Sequence, residues 1–598
     1  ISSHISKGIN STISVGRIEY RFFNKLAINN ILIKDQHNDT LLYSREIIAG
    51  IRRFDLKHKT FRLGRVTLVK PVVAFITDST GIMNLNWFLD MLKNPSDTTI
   101  KRAARFSVDQ IDINSARFSL INRTAIRGKS PIDFNNLNLT ELNAIIEDLN
   151  IYNDTTSFTI YNLGFRESCG FAVNRLSTSV TLAKKNIRLN SVFLTSDSSI
   201  LNISRFGLRA DTSGSFKKFA TDVKLDIMVD KSLISSSDLQ YFIPFAEGIY
   251  ESVWLSGKVL GTISELRGRN INLSYGNNTS LECDFDFSGL PIIENTFIYI
   301  GVSSLKTIAS DIEKFKIKGK SAFVIPQALH KLGNLSFNGS FTGFTTDFVT
   351  YGEIRTGQGN IRTDISLRPE KSKKYKIKGL LKGRDINLGE LTGNTDLLGN
   401  LSFNTSVDGY AYSLNKFAAN LTGKIDSIEV KRYLYRDIAL NGLFTEKTWD
   451  GSINISDSNI KMDLLGMFDF SNKLPEFDFT LNLAKANLFN LNFDKTDTSS
   501  AASMLLTANF KGNSIDNIDG EIKLLNSNFV KYGASLELYD FSIRTFKDNG
   551  IPALSLHSDF VDADIKGYYN FAALGNLVKS TFSTLMPSGF NVPLQHND

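Results

Sequence analysis

The sequence predicts a mainly β protein: one long, curled, mostly antiparallel sheet that forms an elongated groove with an apolar interior, with a few short amphipathic helices. Three observations support this fold class. Apolar and charged residues alternate along many segments, proline is scarce, and few amphipathic helices are available to cover apolar strand faces. Because side chains alternate across a strand, each such segment has one apolar and one charged face.

Residues 277–325 show the alternation most clearly. One strand has Leu281, Cys283, Phe285 and Phe287 on one parity, and Glu282, Asp284 and Asp286 on the other. A second has Phe315, Ile317, Phe323 and Ile325 beside Lys316, Lys318 and Lys320. We expect the lysines to face water, and Ser303–Ile312 to form a short helix between the two strands.

The composition agrees with an extensive sheet. The 598 residues exceed one ordinary core, yet no linker rich in Pro, Gly and Ser divides them. Only 11 residues are Pro, and 44 Phe outnumber 18 Tyr, which suits long strands with one face away from water. At roughly 11 residues per strand and turn, the chain would hold on the order of 45 to 50 strands. A sheet of that size must curl.

Charge and cysteine content exclude some partners and leave other questions open. A formal charge of +7 over this length is a weak field without a dense basic run, so we expect no nucleic acid partner. Cys169 and Cys283 form no CxxC pair. Cys283 has the apolar parity of its strand and is predicted to be a buried thiol, although a disulfide between the two remains open.

The N-terminal part predicts short strands followed by a short amphipathic helix at residues 84–92. No run of 18 apolar residues occurs. The sequence opens without Met, so we interpret it as a fragment, with residues 1–10 as the end of a helix that enters from a missing segment.

This N-terminal pattern resembles a known family. The segments SVGRIEYRFFNKLAINNILIKDQHNDTLLY (14–43) and FRLGRVTLVKPVVAFITDSTGIMNLNWFLDML (61–92) are similar to the first module of the TamB/AsmA-like family. The resemblance is specific over roughly the first 95 residues and diffuse afterwards. It implies a periplasmic protein, anchored to the inner membrane by a missing N-terminal helix, that pairs with an Omp85-family outer-membrane protein through a missing C-terminal domain.

The resemblance also implies a function: phospholipid moves between the two membranes along the groove, as a transported ligand and without a cofactor. Trp87 and Phe88 would lie at the lipid entrance. We expect a monomer. The alternative function in the same family is assembly of outer-membrane proteins, in which a sheet edge templates their strands by β-augmentation.

The rest of the chain continues as strands, which we divide into four parts: an N-terminal module (1–105), a groove (106–235), a helix plus groove unit (236–344) and a groove continuation (345–598). A helix is predicted from about Ser236, and another at residues 570–586. Glycines such as Gly257 and Gly261 would let strands bend.

Apolar residues of matching parity are the candidate lining of the groove. They are Phe285, Phe287, Phe315, Ile317, Phe337, Phe341, Phe403, Met462, Leu464, Phe468, Phe477, Phe479 and Leu481. The competing interpretation is that these side chains pack against each other in closed sandwiches, because apolar strand faces are usually core.

No catalytic motif supports an enzyme. GxxxxGK[ST], HExxH and GxSxG do not occur, and the six histidines are scattered. Ser303–Lys306 matches SxxK, but the partner motifs SDN and KTG do not occur, so we interpret the match as chance.

Overall fold

The computed structural model describes residues 13–22, 24–55, 58, 60–91, 105–125, 131–242, 252–314, 330–370, 374–413, 416–514 and 517–567. Strands account for 72% of the structure and helices for 6%, so the predicted mainly β, mostly antiparallel class is confirmed. The chain divides into unit 1 (Ile1–Pro326 and Asn334–Thr345) and unit 2 (Gln327–Gly333 and Thr346–Asp598).

Unit 1 contains 18 strands among its described residues. They are β1 (Ile13–Ser14), β2 (Arg17–Arg21), β3 (Lys25–Lys34), β4 (Thr40–Asp55), β5 (Thr60–Val69), β6 (Val72–Thr77), β7 (Arg105–Asn122), β8 (Asn136–Tyr152), β9 (Thr155–Glu167), β10 (Ala172–Ala183), β11 (Asn186–Ser196), β12 (Ile200–Ala210), β13 (Val223–Ser235), β14 (Ser252–Gly261), β15 (Glu265–Tyr275), β16 (Thr279–Ser288), β17 (Phe297–Ile308) and β18 (Asn334–Gly343). Its α-helices are α1 (Asn84–Met91), α2 (Phe219–Asp222), α3 (Ser236–Leu239) and α4 (Ala309–Lys314), and its 3-10 helices are Ser213–Lys218 and Ile293–Asn295.

Unit 2 contains 14 strands and one short helix in its described part. They are β19 (Phe348–Thr356), β20 (Gly359–Glu370), β21 (Lys374–Asn387), α5 (Leu388–Thr392), β22 (Leu398–Ser413), β23 (Lys416–Val430), β24 (Tyr433–Thr445), β25 (Thr448–Ser456), β26 (Ile460–Asp469), β27 (Glu476–Asn487), β28 (Ala501–Lys511), β29 (Asp519–Lys531), β30 (Ala534–Asp548), β31 (Ile551–Ser558) and β32 (Asp562–Lys566).

Strand order follows chain order over most of the 32-stranded sheet. Each strand from β8 to β18, and each from β20 to β32, pairs antiparallel with the one before it. The exception is near the start, where β5 and β6 follow each other along one side of β7 and pair with it in parallel. This parallel crossover contains α1 and was not predicted from the sequence.

Bulges bend several strands at similar positions. Ser115 in β7, Ser191 in β11 and Asn270 in β15 each have φ +52°, and each lies at a shift in the register of its ladder. A bulge bends its strand and increases the local twist. Gly257 and Gly261 have positive φ values of +139° and +96°, and Gly257 lies at a register shift between β14 and β15.

Each unit is covered at one end of its strands, and the two buried apolar clusters of the described residues lie there. In unit 1, residues 131–135, 168–171 and 236–242 cover the ends of β7–β13, and we call them the roof of unit 1. Ile132, Phe171 and Val173 are buried beneath it. In unit 2, residues 488–500 join β27 to β28 and form the roof of unit 2. Its Leu491 is 1% exposed and packs against Ile438 and Leu483.

Two expectations need correction. The described residues hold 32 strands rather than 45 to 50, because many strands are long: β7 has 18 residues and β8 has 17. The helix expected at Ser303–Ile312 begins only at Ala309, since residues up to Ile308 continue β17 opposite β18.

Other expectations are met in part or fall on undescribed residues. The helix expected at residues 84–92 is confirmed as α1, and the one expected from Ser236 continues only to Leu239 within the described residues. The helices at residues 1–10 and 570–586 lie outside the described residues. So do Phe315, Ile317, Phe323, Ile325, Lys316, Lys318 and Lys320.

Candidate functional site

The apolar face of unit 2 consists of rows of residues that lie directly opposite each other on successive strands. One row runs through Phe403, Ile425, Ile438, Ile455, Met462, Leu483 and Met504. The next, the aliphatic row, runs through Leu440, Ile453, Leu464, Leu481, Leu506, Leu524 and Phe541. Both rows cross the strands, so they form continuous apolar stripes from strand to strand.

A third stripe, the aromatic row, lies farther from the roof of unit 2. It runs through Phe444, Trp449, Phe468, Phe477 and Phe510. Its neighbouring ring centroids are 6.3, 5.1, 5.7 and 4.9 Å apart in that order. These separations are typical of aromatic pairs in contact, so the rings form one connected band across five strands.

Between the aliphatic and aromatic rows lies a glycine row, formed by Gly442, Gly451 and Gly466 and continued by Phe479 on β27. A Cβ built on Gly442 would lie 2.5 Å from Trp449 Nε1, so the indole covers that glycine. The missing side chains let aromatic groups lie close to the backbone, as in aromatic rescue of strand glycines.

The apolar face of unit 1 shows the same pairing of glycine with phenylalanine. Phe285 lies opposite Gly268, and a Cβ built on that glycine would lie only 2.2 Å from a carbon of the Phe285 ring. The rings of Phe285 and Phe287 stack with centroids 4.5 Å apart. Phe341 lies in the Phe285 row beyond Ile300. Phe337 ends another row of the same face, which runs through Leu255, Leu273, Leu281 and Leu305.

The structure thus brings the described lining residues together in two sets. Phe285, Phe287, Phe337 and Phe341 share the apolar face of unit 1. Phe403, Met462, Leu464, Phe468, Phe477, Phe479 and Leu481 share that of unit 2. All eleven are partly exposed, and none is buried. A packed core buries side chains of this size, so the two faces are incompletely covered in the described structure.

The opposite face carries charge. On β16, Asp286 accepts a hydrogen bond from the Arg269 guanidinium at 2.7 Å, and Asp284 accepts one from the Asn270 backbone N–H at 2.7 Å. On β27, Asp478 and Thr480 precede and follow Phe479 in the sequence. Both are exposed, and both lie on the face opposite Phe479. The predicted separation of apolar and charged faces is therefore present on these strands.

Two tyrosines near the roof of unit 2, Tyr433 and Tyr435, have raised pKa values. Burial raises the pKa of Tyr435 to about 12, and its ring lies 4.8 Å from that of Tyr433. Burial and a hydrogen bond to the Asp457 carboxylate raise the pKa of the Tyr433 hydroxyl, which donates that bond. Both phenols are therefore neutral at physiological pH.

The two cysteines are free thiols. Cys283 is 8% exposed and lies between Ile271 and Val302 on the apolar face of unit 1, as expected from its parity. Burial raises the pKa of both thiols, and Glu167 adds to the effect at Cys169.

Trp87 and Phe88 lie on α1, between β6 and β7, and both are partly exposed. Asn84 fixes the start of this helix: it donates to the Asp35 carboxylate at 3.1 Å and accepts from the Ile76 N–H at 3.0 Å. The chain thus places these two residues in the crossover, apart from the lining strands β16–β18.

Sequence reasoning missed Trp449, Phe444, Phe510 and the glycine row. Counting parity outward from the Glu446–Lys447 turn would have placed Phe444 opposite Trp449. The glycines carry no apolar signal, and only the register shows that they align.

Among the described residues, no group of three or more His, Cys, Asp or Glu could hold a metal ion, and no helix is long and apolar enough to cross a membrane. Comparisons with protein-family models, with curated proteins and with solved structures each found no match to the chain.

Proposed function

We propose that this protein conducts phospholipid along the apolar faces of its sheets. One observation carries the proposal: apolar rows continue from strand to strand, and most of their large side chains, including all eleven described lining residues, stay partly exposed. A closed core would bury them, whereas a face that receives a mobile apolar ligand must leave them accessible.

The energetic need for such a face follows from lipid chemistry. Burying an acyl chain is favourable by about 0.8 kcal/mol per CH₂, so exposing a sixteen-carbon chain to water costs roughly 12 kcal/mol. A continuous apolar stripe removes most of that barrier. Because the rows cross the strands, each step to the next strand moves the chain by ~4.8 Å over side chains of similar kind.

The N-terminal resemblance suggests the setting. Segments 14–43 and 61–92 are similar to the TamB/AsmA-like family, which supports a periplasmic protein that moves lipid between the inner and outer membranes. In that setting an N-terminal anchor and an Omp85-family partner would complete the path, and Trp87 and Phe88 on α1 would lie near the entrance. No enzymatic step is needed.

The alternative, β-augmentation of outer-membrane proteins, requires an exposed edge strand that can pair with a further strand. In the described part of the chain, β32 pairs with β31 alone. It has only five residues, and Asp562, Asp564 and Lys566 place charge along it. Short, charged edge strands oppose pairing with further strands. This edge therefore favours the lipid proposal.

A matched pair of variants on β27 tests the proposal. Phe479→Arg places a charge on the lipid path, whereas Thr480→Arg places the same charge on the opposite, exposed face of the same strand. An ion left dry among acyl chains is disfavoured by several kcal/mol. The measurements are transfer of a fluorescent phospholipid between vesicles and mass spectrometry of lipids that co-purify with each variant.

We expect Phe479→Arg to lower transfer at least tenfold with an unchanged circular dichroism spectrum, and Thr480→Arg to behave as the native protein. If Phe479→Arg unfolds the chain, these side chains belong to a closed core. If it folds and transfers lipid normally, the apolar face of unit 2 is not the path.

A further inference from the structure

An apolar cavity lies under the roof of unit 1. Its volume is about 400 Å³. The floor takes one apolar side chain from each of six consecutive strands, β8 to β13: Leu139, Phe165, Val173, Leu194, Leu201 and Ile234. At ~4.8 Å per strand the floor extends roughly 24 Å, so the cavity is long and narrow and crosses the strands.

Aromatic side chains form the roof over this floor. The rings of Phe134 and Phe242 stack with centroids 6.2 Å apart, and Phe171 meets Phe242 edge to face at 5.0 Å. The Ile132 backbone N–H donates to the Tyr241 carbonyl at 3.2 Å, which joins two roof segments. The roof is therefore a built structure and not a loop passing over the sheet.

Buried carboxylates attach the roof to the strand ends. Asp238 accepts hydrogen bonds from the Ser196 and Ser199 hydroxyls at 2.5 and 2.6 Å. Glu167 accepts from the Asn138 and Cys169 backbone N–H groups at 3.1 and 2.6 Å. Both carboxylates therefore have hydrogen-bond partners within the protein, and these hydrogen bonds hold the roof in place.

The chemistry of the cavity defines what fills it. Packed interiors leave few voids larger than a water molecule, and water needs two to four polar partners to occupy one. An apolar cavity of ~150 Å³ already binds benzene. A cavity of this size and lining accommodates a longer apolar group, and its length selects a linear chain over a compact ring system.

We propose that this cavity is a resident binding site for a single acyl chain, whose polar head remains outside the roof. A peptide segment is a poorer occupant, since it would leave its backbone amides without partners among the apolar walls. The inference extends the proposed function because the ligand has the same chemistry. It differs in assigning a fixed site beneath the roof, at the covered end of the apolar face of unit 1.

The probe is palmitic acid that carries a photoreactive diazirine near the end of its chain. We expect saturable labelling with one site per chain, mapped by mass spectrometry to residues 131–139, 194–201 and 234–242. Labelling confined to unit 2, or labelling that does not saturate, would overturn the inference.

Cavity-filling variants make the test specific. Leu194→Trp should lower affinity for the probe at least tenfold. Phe193→Trp is the matched control, because Phe193 lies on the opposite face of β11, where the Arg175 guanidinium stacks 5.8 Å from its ring. Leu201→Phe adds less volume and should weaken binding in the same direction, which keeps the test decisive if Leu194→Trp misfolds.

The two proposals can fail separately. Phe479→Arg should leave cavity labelling unchanged, and Leu194→Trp should leave labelling of the Phe479 region unchanged. If the cavity is labelled saturably but the native protein transfers no lipid between vesicles, the acyl-chain site stands and the proposed lipid conduction is wrong. If transfer is normal but the cavity is not labelled, lipid conduction stands and the acyl-chain site is wrong.

Discussion

Phe479 lies directly opposite Gly466 in the register of β26 and β27, and a Cβ built on Gly466 would come within 2.4 Å of the Phe479 Cβ and 2.3 Å of the Asp478 carbonyl oxygen. Backbone atoms cannot move aside as a flexible side chain can. The glycine is therefore a steric requirement of the apolar face, at the point where the glycine row gives way to an aromatic side chain.

Gly466→Ala should lower the free energy of unfolding by about 1–3 kcal/mol, the usual effect of overpacking. Gly207→Ala is the control, because a Cβ there would lie 3.4 Å from its nearest neighbour, the Asp226 carbonyl oxygen. Denaturant titration followed by circular dichroism measures both. Equal stability of the two variants would mean that β26 and β27 are farther apart than described.

Trp449 should tolerate loss of its indole N–H but not loss of its ring. Its Nε1 is buried and has no hydrogen-bond partner among the described residues. Trp449→Phe should therefore cost less than ~1.5 kcal/mol, whereas Trp449→Ala should cost about 3–5 kcal/mol. Denaturant titration distinguishes them. A Trp449→Phe variant as unstable as Trp449→Ala would show that the indole N–H has a partner in solution.

Tyr435 should make unit 2 sensitive to alkali. Its pKa is raised from 10.0 to about 12, so the folded state favours the neutral phenol. Stability is fully present below pH 10 and falls between pH 10 and 12, as the unfolded chain ionises first, with a loss on the order of 3 kcal/mol. Tyr435→Phe should reduce this fall in unfolding titrations across that range. If Tyr435→Phe loses stability with pH as steeply as the native protein does, the Tyr435 hydroxyl is exposed to water in the folded state.

Asp78 should make the attachment of α1 sensitive to acid. Hydrogen bonds from the Thr80 hydroxyl and the Ile82 backbone N–H lower its pKa from 3.8 to about 2. Its contribution is present above pH 3.8 and is lost as pH falls through about 2. Trp87 fluorescence, with Trp254 and Trp449 replaced by Phe, should report this transition. In Asp78→Asn the low-pH spectrum should already be present at pH 7, and a native spectrum there would exclude this role.

Much of the local structure could be predicted from the sequence because period-two alternation reports strand faces directly. Leu281 to Phe287 show this, since their parity alone assigned each side chain to the correct face. The expected helix at Ser303–Ile312 was wrong over its first six residues because the strand there continues opposite β18, and tertiary pairing outweighs local preference.

Long-range features could not be predicted, because they depend on register. The parallel pairing of Thr60–Val69 with Arg105–Asn114 leaves no local signature. The bulges at Ser115, Ser191 and Asn270 use residues that enter the left-handed region only occasionally. The cavity depends on a roof whose segments, around Ile132 and Phe242, are more than 100 residues apart in the chain.

The chain-order pairing of strands has a consequence for how the protein forms. The parallel ladder between β5 and β7 joins segments about 45 residues apart in the chain. It must form before β7 can serve as an edge to which β8 adds. Most later strands of unit 1 then add to a finished edge by a short connection, at a small cost in loop closure, whereas β17 and β18 are joined by 25 residues. We expect assembly to proceed like a zipper from the N-terminal end during synthesis. Pulsed hydrogen exchange would show β7 and β8 protected before β16 and β17.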